Sequence, residues 1–315
     1  MSIVTPCFNV APYVERMIQS VQSQTFTDWE QILVDDGSTD HTAEAIRAAI
    51  GTDTRQRLIT TTNGGVCAAR NRGYAAATDG TKYVYFPDPD DTLAPDLLET
   101  MVGYMEAHPM VSMAYCAFQW VDLNDEPLTT PAGARYVPSG LGVRALHDDE
   151  PETPFVSLYC WAPAPEPVAF IRRSAYDRTT GWDEAFGQHG EGVILFPQLT
   201  FYGDVHYVPR RLYRYRVRPG QSSRVAGKQE RAERRVVDWW RMADWLADEQ
   251  RSTVRQAEWF RYYRLDPWKG FRTAWSDARS GRVLRATRFT LGALRRYAQS
   301  LVTGSGAGRR RVHCA

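Results

Sequence analysis

Over its first hundred residues this chain alternates short apolar runs with segments of helical periodicity, and that alternation constrains the fold more than any other feature. Ile3-Val4, Gln31-Ile32-Leu33-Val34, Leu58-Ile59-Thr60 and Tyr83-Val84-Tyr85-Phe86 read as strands. Between them, Tyr13 to Gln24 carries Val14, Met17, Ile18 and Val21 on one helical face, and a second helical segment carries Ala43, Ala45 and Ile46. Val66 to Ala77 is an alanine-rich third helix, entered from an Asn63-Gly64-Gly65 turn. Ser38, Thr39 or Asp40 can cap the second helix. Strands and helices at this spacing require parallel strands joined by right-handed crossovers. The expected fold class is therefore α/β, a Rossmann-like, mostly parallel sheet flanked by helices.

Sheets of this kind bind ligands beyond the carboxyl ends of their strands. Three polar clusters fall at such ends: Thr5-Pro6-Cys7-Phe8-Asn9, Asp35-Asp36-Gly37-Ser38, and Phe86-Pro87-Asp88-Pro89-Asp90-Asp91. The last sets three carboxylates within four residues. An Asp-x-Asp at a strand's exit puts both side chains on one face. Their hard oxygens can hold a divalent cation, and the cation can hold a diphosphate. Alone the motif is weak, because Asp and Pro are common in turns. The convergence of three clusters on one edge of one sheet is the stronger signal.

The remainder is less regular. Residues 120–170 are proline-rich, with eight prolines from Pro127 to Pro167, and read as a long functional loop region. Tyr207-Val208 and Leu212-Tyr213-Arg214-Tyr215 suggest short strands returning to the sheet. From Lys228 the pattern is helical, with one apolar stripe through Val236, Trp239, Trp240, Ala243 and Leu246. The expected organisation is a domain over 1–227 in two halves, 1–100 and 101–227. A helical C-terminal extension over 228–303 and a disordered tail over 304–315 follow.

Charge divides along the same line. Residues 1–227 carry 18 Lys and Arg against 28 Asp and Glu, whereas residues 228–315 carry 20 against 9. A second C-terminal stripe, Leu284, Leu291, Leu294, Ala298 and Leu301, is flanked by Arg285, Arg288, Arg295 and Arg296. Such a helix can lie on an anionic membrane surface, pack on the core or form a homodimer interface. No motif supports nucleic-acid binding. The five scattered cysteines lack Cys-x-x-Cys spacing, and no run of eighteen apolar residues exists. With no basic leader before Ile3, the expected location is cytoplasmic, with peripheral contact at the inner membrane face through the basic helix.

Taken together, five ordered motifs resemble the inverting glycosyltransferases of family 2, which have the GT-A fold. They are Thr5-Pro6-Cys7-Phe8-Asn9, Val34-Asp35-Asp36-Gly37-Ser38-Thr39-Asp40, Asn63-Gly64-Gly65, Ala69-Arg70-Asn71-Arg72-Gly73 and Phe86-Pro87-Asp88-Pro89-Asp90-Asp91. The likeness continues more loosely through Gly181-Trp182-Asp183-Glu184-Ala185-Phe186. The resemblance implies a nucleotide-diphosphate-sugar donor, UDP- or dTDP-linked, and transfer to a hydroxyl acceptor with inversion at the anomeric carbon. By the same resemblance, Asp36 or its neighbour Asp35 accepts from the base imide, with Pro6 and Phe8 flanking the base. Thr5, Asn9 and Asn63 belong to the donor motifs. Asp88 binds ribose or sugar hydroxyls and with Asp90 holds Mn²⁺ or Mg²⁺, and Arg70 lies near the diphosphate or the sugar.

The resemblance makes 1–100 the nucleotide-sugar-binding half and 101–227 the acceptor half, and two departures fall in the latter. Family members usually carry a Glu-Asp pair whose Asp is the base, and this chain reads His189-Gly190-Glu191-Gly192, so a glycine stands there. Glu191 is the nearest carboxylate and the first candidate base, with His189 the second. Where a His is common, this chain has Arg218, which cannot ligate a metal but can pair with phosphate oxygens. Both departures keep open an alternative, a nucleotide-sugar-binding protein with a degenerate catalytic site. A nucleotidyltransferase would carry a glycine-rich loop after the first strand, and Thr5 to Pro12 has no glycine.

Overall fold

The computed structural model describes residues 1–128, 154–159, 166–186, 190–219, 221 and 228–260, together with 275, 278, 279, 287 and 291. Its first half is the alternation read from the sequence. Strand β1 (Ser2–Cys7) leads to helix α1 (Val14–Gln22), β2 (Glu30–Asp35) to α2 (Thr42–Ile50), and β3 (Gln56–Thr60) to α3 (Val66–Ala75), before β4 (Tyr83–Tyr85). The second half follows as β5 (Thr92–Leu93), α4 (Leu97–Ala107), β6 (Val111–Val121), α5 (Pro154–Tyr159), a 3₁₀ turn (Glu166–Val168), β7 (Ala169–Arg172) and α6 (Arg173–Tyr176). Helix α7 (Glu191–Leu199), β8 (Asp204–Arg216), α8 (Lys228–Met242) and α9 (Asp248–Phe260) complete the described chain.

Eight strands form one sheet in the order β3-β2-β1-β4-β7-β6-β8-β5. β1 pairs in parallel with β2 and β4, β2 with β3, and β6 with β8. β7 runs antiparallel to both its neighbours, β4 and β6, and β5 runs antiparallel to β8. The antiparallel β7 matters for the site: its start lies at the carboxyl end of β4, where Tyr85 faces Phe170. Their rings stack with centroids 4.2 Å apart.

Three differences from the sequence reading have physical causes. The eleven-residue β6 lies within a stretch for which no strand is expected, yet nearly every one of its residues is buried because it is a central strand covered on both faces. The two short strands expected at 207–215 are one strand, β8, whose pairing with β6 shifts register around Ala117. The region 120–170 contains the end of β6, α5, the 3₁₀ turn and the start of β7, while 129–153 lie outside the described residues. None of the three candidate caps for α2 holds the N-cap position, which is His41; Asp40, one residue earlier, accepts from the Thr42 amide at 3.0 Å.

The main core lies between the sheet and its helices, and a second cluster joins the C-terminal helices to it. Val236, Val237 and Trp240 of α8 are buried against Phe155, Tyr159, Val193 and Ile194. The Trp240 indole N–H donates to the Val193 carbonyl at 3.2 Å, and Arg241 of α8 pairs with Glu258 of α9. The stripe read from sequence is thus core packing at Val236, Trp240, Ala243 and Leu246, with Trp239 half-buried. The expected helix near 283–302 is described only at Thr287 and the exposed Leu291, and the tail 304–315 lies outside the described residues.

Helix α3 approaches the sheet through Gly73. A Cβ there would overlap Val4 Cγ1 and lie 3.0 Å from Val34 Cγ2, two fully buried core atoms. Gly73→Ala is expected to destabilise the fold by about 1–3 kcal/mol through overpacking, read as a lower denaturant midpoint with an unchanged slope.

Candidate active site

The loop after β4 is the centre of the site, and β8 holds it in place. Asp91 is 1% exposed; its carboxylate accepts from the Tyr213 hydroxyl at 2.7 Å and from the Arg216 amide at 2.6 Å. Arg216 is fully buried and donates through Nε to the Asp90 carbonyl at 2.9 Å. Its other nitrogens reach the Asp122 carbonyl at 3.0 Å and Asp125 at 2.5 Å. With its backbone fixed this way, the loop brings carboxylate oxygens of Asp88, Asp90 and Asp91 within 4.8 Å of one another.

Neighbouring like charges and burial raise the proton affinity of two of them, Asp88 and Asp91. Asp88 is pushed up to about 6, mainly by burial, with Arg70 opposing and Asp90 and Glu191 adding to the rise. Asp91 is driven well above the usual range by burial and then by Asp90 and Asp88, against its two hydrogen bonds. A hard cation relieves such repulsion, and the oxygen donors suit Mg²⁺ or Mn²⁺. Asp91 is engaged by β8, so Asp88 and Asp90 are the carboxylates that fit a cation. Arg218 already reaches Asp90: its Nε donates to Oδ2 at 2.5 Å, and its guanidinium lies 5.3 Å from the Tyr13 ring centroid. Burial works against its charge, and the hydrogen bond and charge of Asp90, together with Tyr13 and Asp91, more than offset this and raise its proton affinity.

Arg70 faces the acidic loop from α3. It is 3% exposed and stacks on Trp182 with its guanidinium carbon 4.2 Å from the ring centroid. One terminal nitrogen lies 3.4 Å from Asp88 Oδ1 and the other 3.5 Å from Glu191 Oε1. Its Nε and Nη1 have no hydrogen-bond partner among the described residues. Buried donors left in that state are costly, and a guanidinium presented this way suits an anion with several oxygens.

The other anticipated residues divide into those that face the cleft and those that build it. Phe8 is 47% exposed just past β1, beside the buried Pro6. Asn9, with φ of 52°, latches two loops: its side-chain oxygen accepts from the Thr39 amide at 2.9 Å, and its amide donates to Ser38 Oγ at 3.0 Å. The Thr5 hydroxyl is fully buried and accepts from Gln31 at 3.0 Å, in a ladder that continues to Gln56 and Gln22. Asp35 accepts from the Ser38 amide at 3.1 Å. Asp36 accepts from the amides of Gly64 at 2.9 Å and Gly65 at 2.7 Å and from Arg72 at 3.2 Å, so it anchors the exposed Asn63 turn. Glu191 opens α7 beside Arg70, whereas His189 lies outside the described residues.

Sequence reasoning missed Glu166, Tyr213 and Arg216. Glu166 sits on the 3₁₀ turn before β7, and its carboxyl group fills the space in front of Gly192. A Cβ on Gly192 would lie 2.9 Å from Glu166 Cδ and closer still to Oε1. Burial first, and then the charges of Glu191 and Asp88, push Glu166 up to about 7, against its own backbone N–H and Arg70. A carboxyl whose proton affinity rises on folding stabilises the fold below its unfolded range and loses that contribution as pH climbs through the folded value. Glu166→Gln should therefore gain stability relative to the parent chain between pH 4.5 and pH 7.5, measured as the difference in unfolding free energy at each pH.

Comparisons with known proteins agree with this geometry. The sequence profile of Glycosyl transferase family 2 matches residues 2–166. An uncharacterized glycosyltransferase, EpsJ, of Bacillus subtilis is 36% identical over 118 residues, which cover 38% of this chain and 33% of that protein. Chondroitin synthase of Pasteurella multocida is 31% identical over 144 residues, 41% of this chain and 15% of that one. The chain thus spans a third or less of the length of these curated relatives. Among solved structures, Staphylococcus aureus TarS residues 1–349 in complex with UDP-GlcNAc superposes with a TM-score of 0.62 at 17% identity, covering 85% of this chain and 74% of that one. A mannosyltransferase of Pyrobaculum calidifontis, in complex with GDP-Man and Mn²⁺, gives 0.55 at 18% identity, covering 96% and 81%. These likenesses show a shared fold, a GT-A sheet. With more than half of its residues matched to the profile, the chain belongs to glycosyl transferase family 2.

Proposed function

We propose that this protein transfers a sugar from a nucleotide-diphosphate donor, UDP- or dTDP-linked, to a hydroxyl acceptor with inversion at the anomeric carbon. The observation that carries the reading is the pairing of two opposite features at one strand end. The carboxylates of Asp88 and Asp90 suit a cation, and the buried guanidinium of Arg70, with two nitrogens that lack hydrogen-bond partners among the described residues, suits an anion. A diphosphate held between a divalent cation and arginines satisfies both. The membership in family 2 and the nucleotide sugars bound by TarS and the Pyrobaculum enzyme support the same donor class.

In this reading the base packs on the exposed ring of Phe8 beside Pro6, and its imide N–H reaches Asp36, which the Gly64 and Gly65 amides orient, or Asp35, which the Ser38 amide orients. Asp88 receives the ribose or sugar hydroxyls and shares Mn²⁺ or Mg²⁺ with Asp90. The cation, when bound, neutralises charge developing on the leaving diphosphate. Arg70 lies against the same oxygens from α3, and its stacking on Trp182 holds the fork flat and excludes water behind it. Glu191 and Glu166 are the two carboxylates within reach of the acceptor side. Arg218, already bonded to Asp90, favours a second reading in which a guanidinium takes over part of the cation's work on the diphosphate.

Calorimetric titration with UDP, dTDP and GDP, in Mn²⁺ and in EDTA, tests the reading. UDP or dTDP should bind, and EDTA or Asp90→Ala should each weaken binding about tenfold or more, which is about 1.4 kcal/mol. Binding indifferent to EDTA would transfer the cation's role to Arg218. Failure of all three nucleotides to bind would contradict the donor assignment.

A further inference from the structure

We propose that Glu166 is the general base of the transfer: its carboxyl group, seated in the space that Gly192 leaves at the start of α7, takes the proton of the acceptor hydroxyl. The proposal rests on the glycosyl-transfer reading and names a residue that reading leaves open.

Topology puts Glu166 there. β7 is antiparallel to β4, so the turn that begins β7 arrives at the carboxyl end of β4, beside the loop that carries Asp88. The turn is pinned by the Tyr85 hydroxyl, which donates to the Pro167 carbonyl at 2.8 Å, and by the burial of Pro167 and Val168. From this base the side chain reaches α7 at Gly192, where any Cβ would collide with its carboxyl group. Glycine at that position and a glutamate arriving from another element are therefore one arrangement. A second carboxylate is thus present at the start of α7 beside that of Glu191, supplied by another element.

Glu191 is the competing carboxylate, and its surroundings suit a different task. It lies 3.5 Å from the buried Arg70 and pairs with its guanidinium. Burial and the charge of Glu191 push Glu166 up to about 7. A general base works best when its proton affinity lies near the working pH. Glu191 is then a positioning residue that holds Arg70 against the donor. In the step itself the acceptor O–H proton passes to Glu166, and the acceptor oxygen forms its bond to the anomeric carbon. The bond from that carbon to the diphosphate oxygen breaks, its electron pair leaving on the diphosphate. The proton on Glu166 then returns to water.

The experiment measures nucleotide release from UDP- and dTDP-hexoses with water as acceptor, as a function of pH, beside nucleotide affinity by calorimetry. Glu166→Gln should bind UDP or dTDP within about twofold of the parent chain and release nucleotide about 100-fold or more slowly, the scale of a lost general base. The paired change Glu166→Ala with Gly192→Asp should regain at least about tenfold of that loss, with the acid limb of its pH profile moved to lower pH. Where Glu166→Gln does not fold, Glu166→Asp must show slowed release at unchanged nucleotide affinity. Release by Glu166→Gln at the parent rate would overturn the proposal, as would loss of nucleotide affinity in that variant or abolition of release by Glu191→Gln alone. A parent chain that binds nucleotide and releases none from any donor would instead overturn the transfer reading, and this inference with it.

Discussion

The carboxylate of Asp91 is the interaction on which the rest of the site depends. It is buried among like charges, which is costly, and the structure offsets that cost with two short hydrogen bonds from β8. Those bonds, with the one from Arg216 to the Asp90 carbonyl, weld the loop after β4 to a strand more than 120 residues further along. Without them the loop would be an acidic turn in water. With them, Asp88 and Asp90 are held on a fixed frame, their carboxylates close enough together to suit a cation.

The same frame explains how positive charge is distributed. Arg216 is structural, its guanidinium saturated by carbonyls and Asp125. Arg218, two residues on, reaches the front of the loop and binds Asp90 from the cleft side. Arg70 comes from the opposite wall and is held by a ring and two carboxylates while two of its nitrogens lack hydrogen-bond partners among the described residues. Low local dielectric strengthens each of these pairings and makes each unpaired group expensive. A site in this state is organised for a ligand that carries both metal-binding and arginine-binding oxygens.

The first hundred residues were legible in the sequence because their signals are local. A strand, a polar cluster and a helix follow one another within thirty residues, and the cluster at each strand end can be read directly. Asp36, Arg70, Asp88 and Asp90 are read in this way, and the structure brings Arg70 beside Asp88 and Asp88 beside Asp90. What was not legible is long-range. Tyr213 and Arg216 look like alternate residues of an ordinary strand until the loop they hold is placed beside them. Thr5 reads as a site residue from its position, yet its hydroxyl turns into the sheet and joins a glutamine ladder. Glu166 follows a proline-rich stretch and has no neighbour in sequence to mark it. The one available signal was Gly192: a glycine where a helix start is expected to carry a carboxylate asks what fills the space, and the answer lay 26 residues upstream. β6 was missed for a related reason, since a central strand buried on both faces shows no alternation.

A crystal structure of the protein with a UDP- or dTDP-sugar and Mn²⁺, with anomalous scattering recorded for manganese, tests the central claim most directly. The account predicts a manganese peak bound by Asp90 and Asp88, the base against Phe8 near Asp35 and Asp36, and the diphosphate within hydrogen-bonding reach of Arg70. Nucleotide bound elsewhere on the protein, or manganese bound away from the loop after β4, would contradict it.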